Sequence, residues 1–225
     1  MARYLLRKQE VSVLRQTVEE SLRSSAARQM EQGTRVIRRS LLLGGMLAVI
    51  WFPFGALGAL AGVCWGYFRM KDLDRGFVMA SALGAAGLVI GLALCFGKRE
   101  VGYLIYRGLW LAALLTLTVR SACGAYGKAL AGIDDGLAEK WKKQWRLLRN
   151  TLMVTAIVFL LSITLGLADL WAISILAGGA LGLFLVFRGL WLLSGTVRSC
   201  REYLSRKKMV DSLGQWWQKL LALNT

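Results

Sequence analysis

The sequence predicts an all-α, polytopic membrane protein, and three observations carry that expectation. First, 56% of the 225 residues are hydrophobic and the mean hydropathy is +0.50, an apolar excess that the core of an ordinary soluble domain does not absorb. Second, five apolar stretches, 41–69, 77–97, 101–119, 151–168 and 171–187, approach the roughly 20 residues that a helix needs to cross the hydrocarbon layer. Third, lipid offers no partner to a bare N–H or C=O, so runs of that length pair their backbone within a helix.

Residues 1–40 open with charges scattered through MARYLLRKQEVSVLRQTVEESLRSS, which argues against a cleavable leader. Val11, Leu14, Val18, Leu22, Ala26 and Met30 recur at steps of three or four, the pattern of an amphipathic helix over 4–32 that Gly33 ends. Residues 41–119 follow as a first membrane block. Its topology turns on WFPFG at 51–55. If the chain reverses there, 41–69 and 77–119 form two hairpins and six membrane helices result. If 41–69 is one long span kinked at Pro53, 101–119 lies along the interface and four spans result. The first arrangement better houses LAALLTLTV; the second sets Arg107 and Arg188 on one side.

Residues 120–150 form a basic segment with Leu130, Ile133, Leu137, Trp141, Trp145 and Leu148 at helical spacing, predicting an amphipathic helix over 128–148. Glu139 stands one turn before Lys143 in the favourable order. A transmembrane hairpin over 151–197 comes next. Segment 198–225 closes the sequence with a helix over 203–223 whose apolar face holds Tyr203, Met209, Val210, Leu213, Trp216, Trp217, Leu220 and Leu221. Tryptophan beside lysine suits the headgroup layer, which makes Trp141, Trp145, Trp216 and Trp217 candidate interfacial anchors.

Charge sets the expected orientation. Segments 1–40, 120–150 and 198–225 carry nine, seven and six Lys and Arg, whereas the turn at 169–170 carries none. The positive-inside rule then places all three segments, and both termini, in the cytoplasm. The formal charge of +16 on one face favours anionic lipid or an acidic partner. No nucleic-acid motif accompanies it, so nucleic acid is not an expected partner.

Two stretches echo each other: RGLWL at 107–111 and 188–192, then TVRS at 118–121 and 196–199. Cys123, Tyr126, Ile133 and Asp134 continue the first copy, and Cys200, Tyr203, Val210 and Asp211 the second. The N-terminus joins through Tyr4, Leu5, Arg7, Lys8, Val11 and Leu14, which match Tyr203 to Leu213 at a constant offset. An internal duplication and a coincidence drawn from a narrow alphabet both account for this.

Glycine spacing is the strongest local signal. Gly58, Gly62 and Gly66 form G-x-x-x-G-x-x-x-G; Gly87 and Gly91, then Ser174, Gly178 and Gly182, repeat the four-residue step. Small residues four apart give a smooth face for close backbone approach, within the chain or in a homo-oligomer. Arg107 and Arg188 are charges set in apolar sequence, intramembrane site candidates by default unless they snorkel to the headgroups. No carboxylate within a span completes a proton relay. With no histidine, Ser–His and Cys–His nucleophile pairs cannot form. The four cysteines include no C-x-x-C pair, so neither zinc nor a disulfide framework is expected. Asp134 and Asp135 read as an acidic helix start, and no cofactor is implied.

These features predict a non-enzymatic protein that works by binding another membrane protein or its complex. In size, charge and lack of catalytic chemistry the chain resembles small accessory, exclusion or immunity proteins of secretion and conjugation machinery. Compactness, Arg in excess of Lys and the absence of an N-x-[ST] sequon point to a bacterial cytoplasmic membrane. Two rival classes remain. One is an oligomeric channel or small transporter with Arg107 or Arg188 on an anion path. The other is a membrane-shaping protein that wedges its tryptophan-bearing helices into lipid.

Overall fold

Each reversal of the chain has a local cause. A computed structural model describes the backbone of residues 2–97, 100–164 and 168–223, and the side chains of 17–97, 100–158, 160–161, 164 and 178–216. Among these residues lie six helices: α1 (Ala2–Ile50), α2 (Phe52–Arg69), α3 (Arg75–Phe96), α4 (Val101–Ala129), α5 (Asp135–Thr164) and α6 (Ala168–Leu223). Trp51 leaves helical geometry at φ −141° and ψ 76°, and Pro53 falls in the first turn of α2, where its missing N–H removes no hydrogen bond. The chain therefore reverses at WFPFG, and the single kinked span over 41–69 is not formed.

The turns at 70–74 and 130–134 are built alike. Leu73 N–H donates to Met70 O (3.1 Å), and Ile133 N–H to Leu130 O (2.9 Å). Asp74 Oδ1 then accepts from Gly76 N (2.7 Å), and Asp134 Oδ1 from Leu137 N (2.9 Å), so each aspartate satisfies a donor left free at a helix start. Gly132 sits at φ +83°, a left-handed geometry that glycine adopts without steric cost.

Each helix packs on the next in sequence, and α6 returns to α1. The six form a closed ring of alternating direction. The two turns, whose Lys71, Arg75 and Lys128 are offset by Asp72, Asp74, Asp134 and Asp135, mark one end, made basic by the Arg and Lys of the flanking parts of α1 and α6; Trp51 and the end of α3 mark the far end. At the basic end the ring is packed solid. Tyr126 meets Phe77 edge-on (centroids 5.0 Å) and stacks on Trp141 (4.3 Å, 11° between planes). The Tyr126 hydroxyl lies 3.0 Å from Thr34 Oγ1, and Trp141 Nε1 donates to Thr196 Oγ1 (3.0 Å). Buried aromatic rings thus supply area while their polar tips find partners.

The α1–α2 seam is made of small residues running antiparallel. A Cβ on Gly66 would collide with Ile37 and fall 2.9 Å from Gly33 O. One on Gly33 would meet Met70, one on Gly44 would meet Ala59, and one on Gly55 would meet the Ala48 backbone. This seam overrides the expected helix stop at Gly33: α1 runs on unbroken to Ile50, because the missing side chain admits Met70, which caps α2.

Two other expected boundaries move. The helix expected over 128–148 is interrupted by the turn at 130–134, since fully buried Leu130 caps α4 from within that turn. The helix expected over 203–223 is the distal part of α6, continuous with the apolar segment before it. Helices Arg75–Phe96 and Val101–Ala129, and α6 over Gly178–Trp216, are long and apolar enough to cross a bilayer, the signature of a helical membrane protein.

Candidate functional site

Tyr126, Trp141 and Thr196 touch in series and so mark one level across α4, α5 and α6. At about 1.5 Å of rise per residue, Arg107 stands about 28 Å from that level and Arg188 only about 12 Å. Both lie on helices of the same direction, but at different depths. The RGLWL echo therefore does not mark equivalent positions. The closer internal likeness is one that the sequence reading missed: MKDLDRGF at 70–77 and LAGIDDGL at 130–137 fold into the paired turns. Its signal is an aliphatic residue, aspartate, any residue, glycine and an apolar residue, ahead of a helix.

Arg107 has a local task. Its guanidinium donates to Ala93 O in the last turn of α3 and to the Tyr103 hydroxyl, and its Cζ lies 3.8 Å from the Tyr103 ring centroid. A cation there answers the free carbonyls and negative dipole end of α3. Arg188 is half-buried, and its Nε is enclosed without a partner among the described residues.

The expected packing glycines divide. Gly62 abuts Ser40, Gly66 abuts Ile37, and Gly91 abuts Leu57, where an added Cβ would fall 2.9 Å from Cδ2. Gly178 faces Thr155 at 3.1 Å, and Gly87 makes ordinary contact with Leu111. Gly58 and Gly182 have open space where a Cβ would stand, so the close approach expected at those two is absent among the described residues. Ser174 and Trp217 have side chains outside the described residues. Gly33, Gly44 and Gly55 also pack closely; Gly44 stands four residues from Ser40 and Ala48, and Gly55 four from Ala59, steps that counting glycine alone passes over.

The expected anchors divide too. Trp141 is buried inside the ring rather than presented to headgroups, because Tyr126 and Thr196 hold its ring and its N–H. Trp145 is half-buried against the same core, with Arg120 over its ring at 5.9 Å. Trp216 is exposed.

Above the aromatic floor the ring lines a half-open lumen of about 610 Å³. Every helix contributes to its wall, through Ile37, Leu60, Gly91, Leu115, Gln144 and Leu185 among others. The wall is almost wholly apolar, and neither Arg107 nor Arg188 is part of it. Gln144, buried, donates Nε2–H to Leu185 O (3.1 Å), while its Oε1 has no partner among the described residues.

A smaller polar niche of about 250 Å³ lies at the basic end, lined by Asp134, Ser199, Glu202, Tyr203 and Arg206. The Ser199 hydroxyl donates to Asp134 Oδ2 (2.7 Å). This bond, then the Leu137 N–H, holds the Asp134 carboxyl below its ordinary range. A lowered native pKa adds stability above the unfolded-state value and loses it as pH falls through the native one. Asp134→Ala is expected to cost about 1 kcal/mol at neutral pH, and the gap to wild type should narrow below about pH 4. Thermal melts across that range check it; a gap independent of pH would remove the carboxylate from the account.

Among the described residues no three His, Cys, Asp or Glu side chains gather as a metal set, and Cys64, Cys95, Cys123 and Cys200 are free thiols. No protein family, curated protein or solved structure matches this chain.

Proposed function

We propose that the chain is a non-enzymatic protein of a bacterial cytoplasmic membrane that acts by binding another membrane protein or its complex, as accessory, exclusion or immunity proteins do. In this reading six helices cross the bilayer, the basic end with both termini faces the cytoplasm, and anionic lipid holds the basic rim. A homo-oligomer is compatible with it.

The observation that carries the reading is the stalk. Arg23 approaches Gly132 at the turn level, so the rest of α1 toward its start, about 30 Å of helix, extends past the ring. The distal part of α6 runs antiparallel beside it: Arg201 pairs with Glu31 (Nε–Oε1 3.5 Å) and Lys207 donates to Glu20 O (3.0 Å). On this basic pair of helices Leu22, Met209, Val210 and Leu213 stay exposed, Val210 by 67%. Apolar side chains in a row on a polar helix are what helix-in-groove recognition uses. The apolar lumen and its aromatic floor favour binding over an anion path.

A photoreactive amino acid at Leu213 is expected to yield one protein adduct in native membranes, lost in Met209→Lys. Adducts to lipid alone, or to a second copy alone, would defeat the reading. Thiol labelling of Lys71→Cys from the cytoplasm, with Lys98→Cys reached only from outside, is the matching topology result. Lys98 itself lies outside the described residues.

A further inference from the structure

The geometry points to a binding site for the phosphate of an anionic bilayer lipid in the groove between α4 and α5, formed by Arg120, Arg146 and Arg149 around Trp145. This deepens the lipid contact of the proposed function and rests on that reading's placing of the basic end in the cytoplasmic leaflet. Two contacts set the register of the groove. Lys142 and the Ala138 carbonyl lie closest to where a Cβ on Gly127 would stand, and the Arg120 guanidinium lies 5.9 Å from the Trp145 ring centroid. Ala138, Lys142, Trp145 and Arg149 follow at steps of four, three and four, so they share the face of α5 that meets α4. Arg149 therefore stands one turn beyond Trp145 on that face, and exposed Arg146 stands next to Trp145 toward the outside. The two helices run antiparallel, and long side chains lean toward the start of their own helix. Arg120 thus leans toward the far end and Arg149 back toward the basic end, which aims both at one turn of the groove.

Depth and charge select the occupant. Arg120 stands six residues before Tyr126, and Arg146 and Arg149 stand five and eight after Trp141, so all three lie about 7–12 Å beyond the aromatic floor. The span Arg75–Phe96 starts at that floor, where Phe77 meets Tyr126. The arginines therefore stand within the depth of one leaflet, half of a hydrocarbon core of about 30 Å, where charge is costly and marks a site by default. No ion pair among the described residues includes any of them. Glu139 is taken by Lys143 (3.0 Å), with only a longer-range attraction to Arg146, and neither α4 nor the rest of α5 beyond Glu139 carries a carboxylate. Three like charges in one groove repel one another, and an anion among them relieves this. All three are arginine, whose planar fork matches phosphate oxygens in pairs. Basic pockets between membrane helices on the cytoplasmic side suit phosphate headgroups. Beyond the arginines Leu117, Leu152 and Met153 are exposed, an apolar track for lipid tails that free phosphate would leave bare.

The test uses the full-length protein in detergent, with dioleoyl phosphatidylglycerol and dioleoyl phosphatidylcholine as probes and native mass spectrometry to count retained lipid. One phosphatidylglycerol is expected to be held about tenfold better than phosphatidylcholine, the worth of one charged hydrogen bond. Arg120→Gln with Arg149→Gln should remove that preference. Arg69→Gln, which deletes a cation over Trp65 (5.8 Å) across the ring, should keep it. Arg149→Lys, which keeps the charge and loses the fork, should fall between wild type and the double variant, a readout in a protein of unchanged net charge and helicity. Equal retention of the two lipids by the wild type would overturn the site, as would a double variant that keeps the preference. Loss of the preference in Arg69→Gln as well would overturn it in favour of diffuse surface charge. Displacement of the lipid by millimolar inorganic phosphate would overturn the lipid assignment. None of these results depends on the stalk, where Leu213 tests the partner reading, so the two readings fail separately.

Discussion

Gly66→Leu is expected to destabilise the protein by about 3 kcal/mol, the upper range for overpacking a tight contact, and to lower its melting temperature in detergent sharply. The cause is the α1–α2 seam: a Cβ there collides with the Ile37 side chain and sits 2.9 Å from the carbonyl oxygen of Gly33. Backbone on the far side of a seam cannot rotate away as a flexible side chain can. Gly58→Leu is the control, since nothing lies within 4 Å of its added Cβ and a change within about 0.5 kcal/mol is expected. Melts followed by circular dichroism read both. Equal melting of the two variants would mean that the seam does not hold α1 to α2.

Trp141→Ala is expected to cost about 3–5 kcal/mol, the range for removing a large buried aromatic side chain. It deletes the face on which Tyr126 stacks and the donor to Thr196 Oγ1, and it opens the floor of the lumen. Trp141→Phe keeps a ring against Tyr126 and leaves Thr196 without its donor, for a smaller cost of about 1 kcal/mol. Wild-type stability in Trp141→Ala would return this residue to the role of a lipid anchor. The order of the two variants separates packing from hydrogen bonding.

Gly66 packs as its spacing suggests, whereas Gly58, two four-residue steps away, does not, and the difference has a physical reason. In a soluble protein an apolar stripe marks the buried face, because the other face meets water. In lipid both faces are apolar, so periodicity inside 41–69 or 101–119 does not say which side meets a neighbour. Gly58 and Gly62 look alike as letters four apart; one faces open space and the other Ser40. Gly44 and Gly55 stand at four-residue steps only from Ser40, Ala48 and Ala59, yet both pack against the partner helix, because an antiparallel seam pairs small residues of any kind from two helices.

The basic segments were misjudged differently. Trp141 and Trp145 stand among Lys140, Lys142 and Lys143, a composition that reads as a headgroup anchor. Side by side in sequence, these residues point to opposite sides of α5: the lysines outward, Trp141 onto Tyr126. Leu130 and Ile133 counted as helix-face residues for the same reason. Their spacing holds in a turn as well; the bond from Ile133 N–H to Leu130 O and the positive φ of Gly132 distinguish the two.

By itself the sequence determined what composition and local chemistry can determine: an all-α membrane chain, a reversal made available by Pro53, a concentration of positive charge on a few segments, and the absence of histidine chemistry. Those follow from hydropathy, backbone covalent geometry and counting, which need no partner residue. Tertiary structure alone decided that Gly33 packs instead of stopping a helix, that the two RGLWL copies lie at different depths, and that α6 returns to α1 to line a half-open lumen with Gln144 on its wall. Each of these depends on which helix stands opposite, and where the membrane segments are apolar on every face, only close packing between distant segments makes that choice.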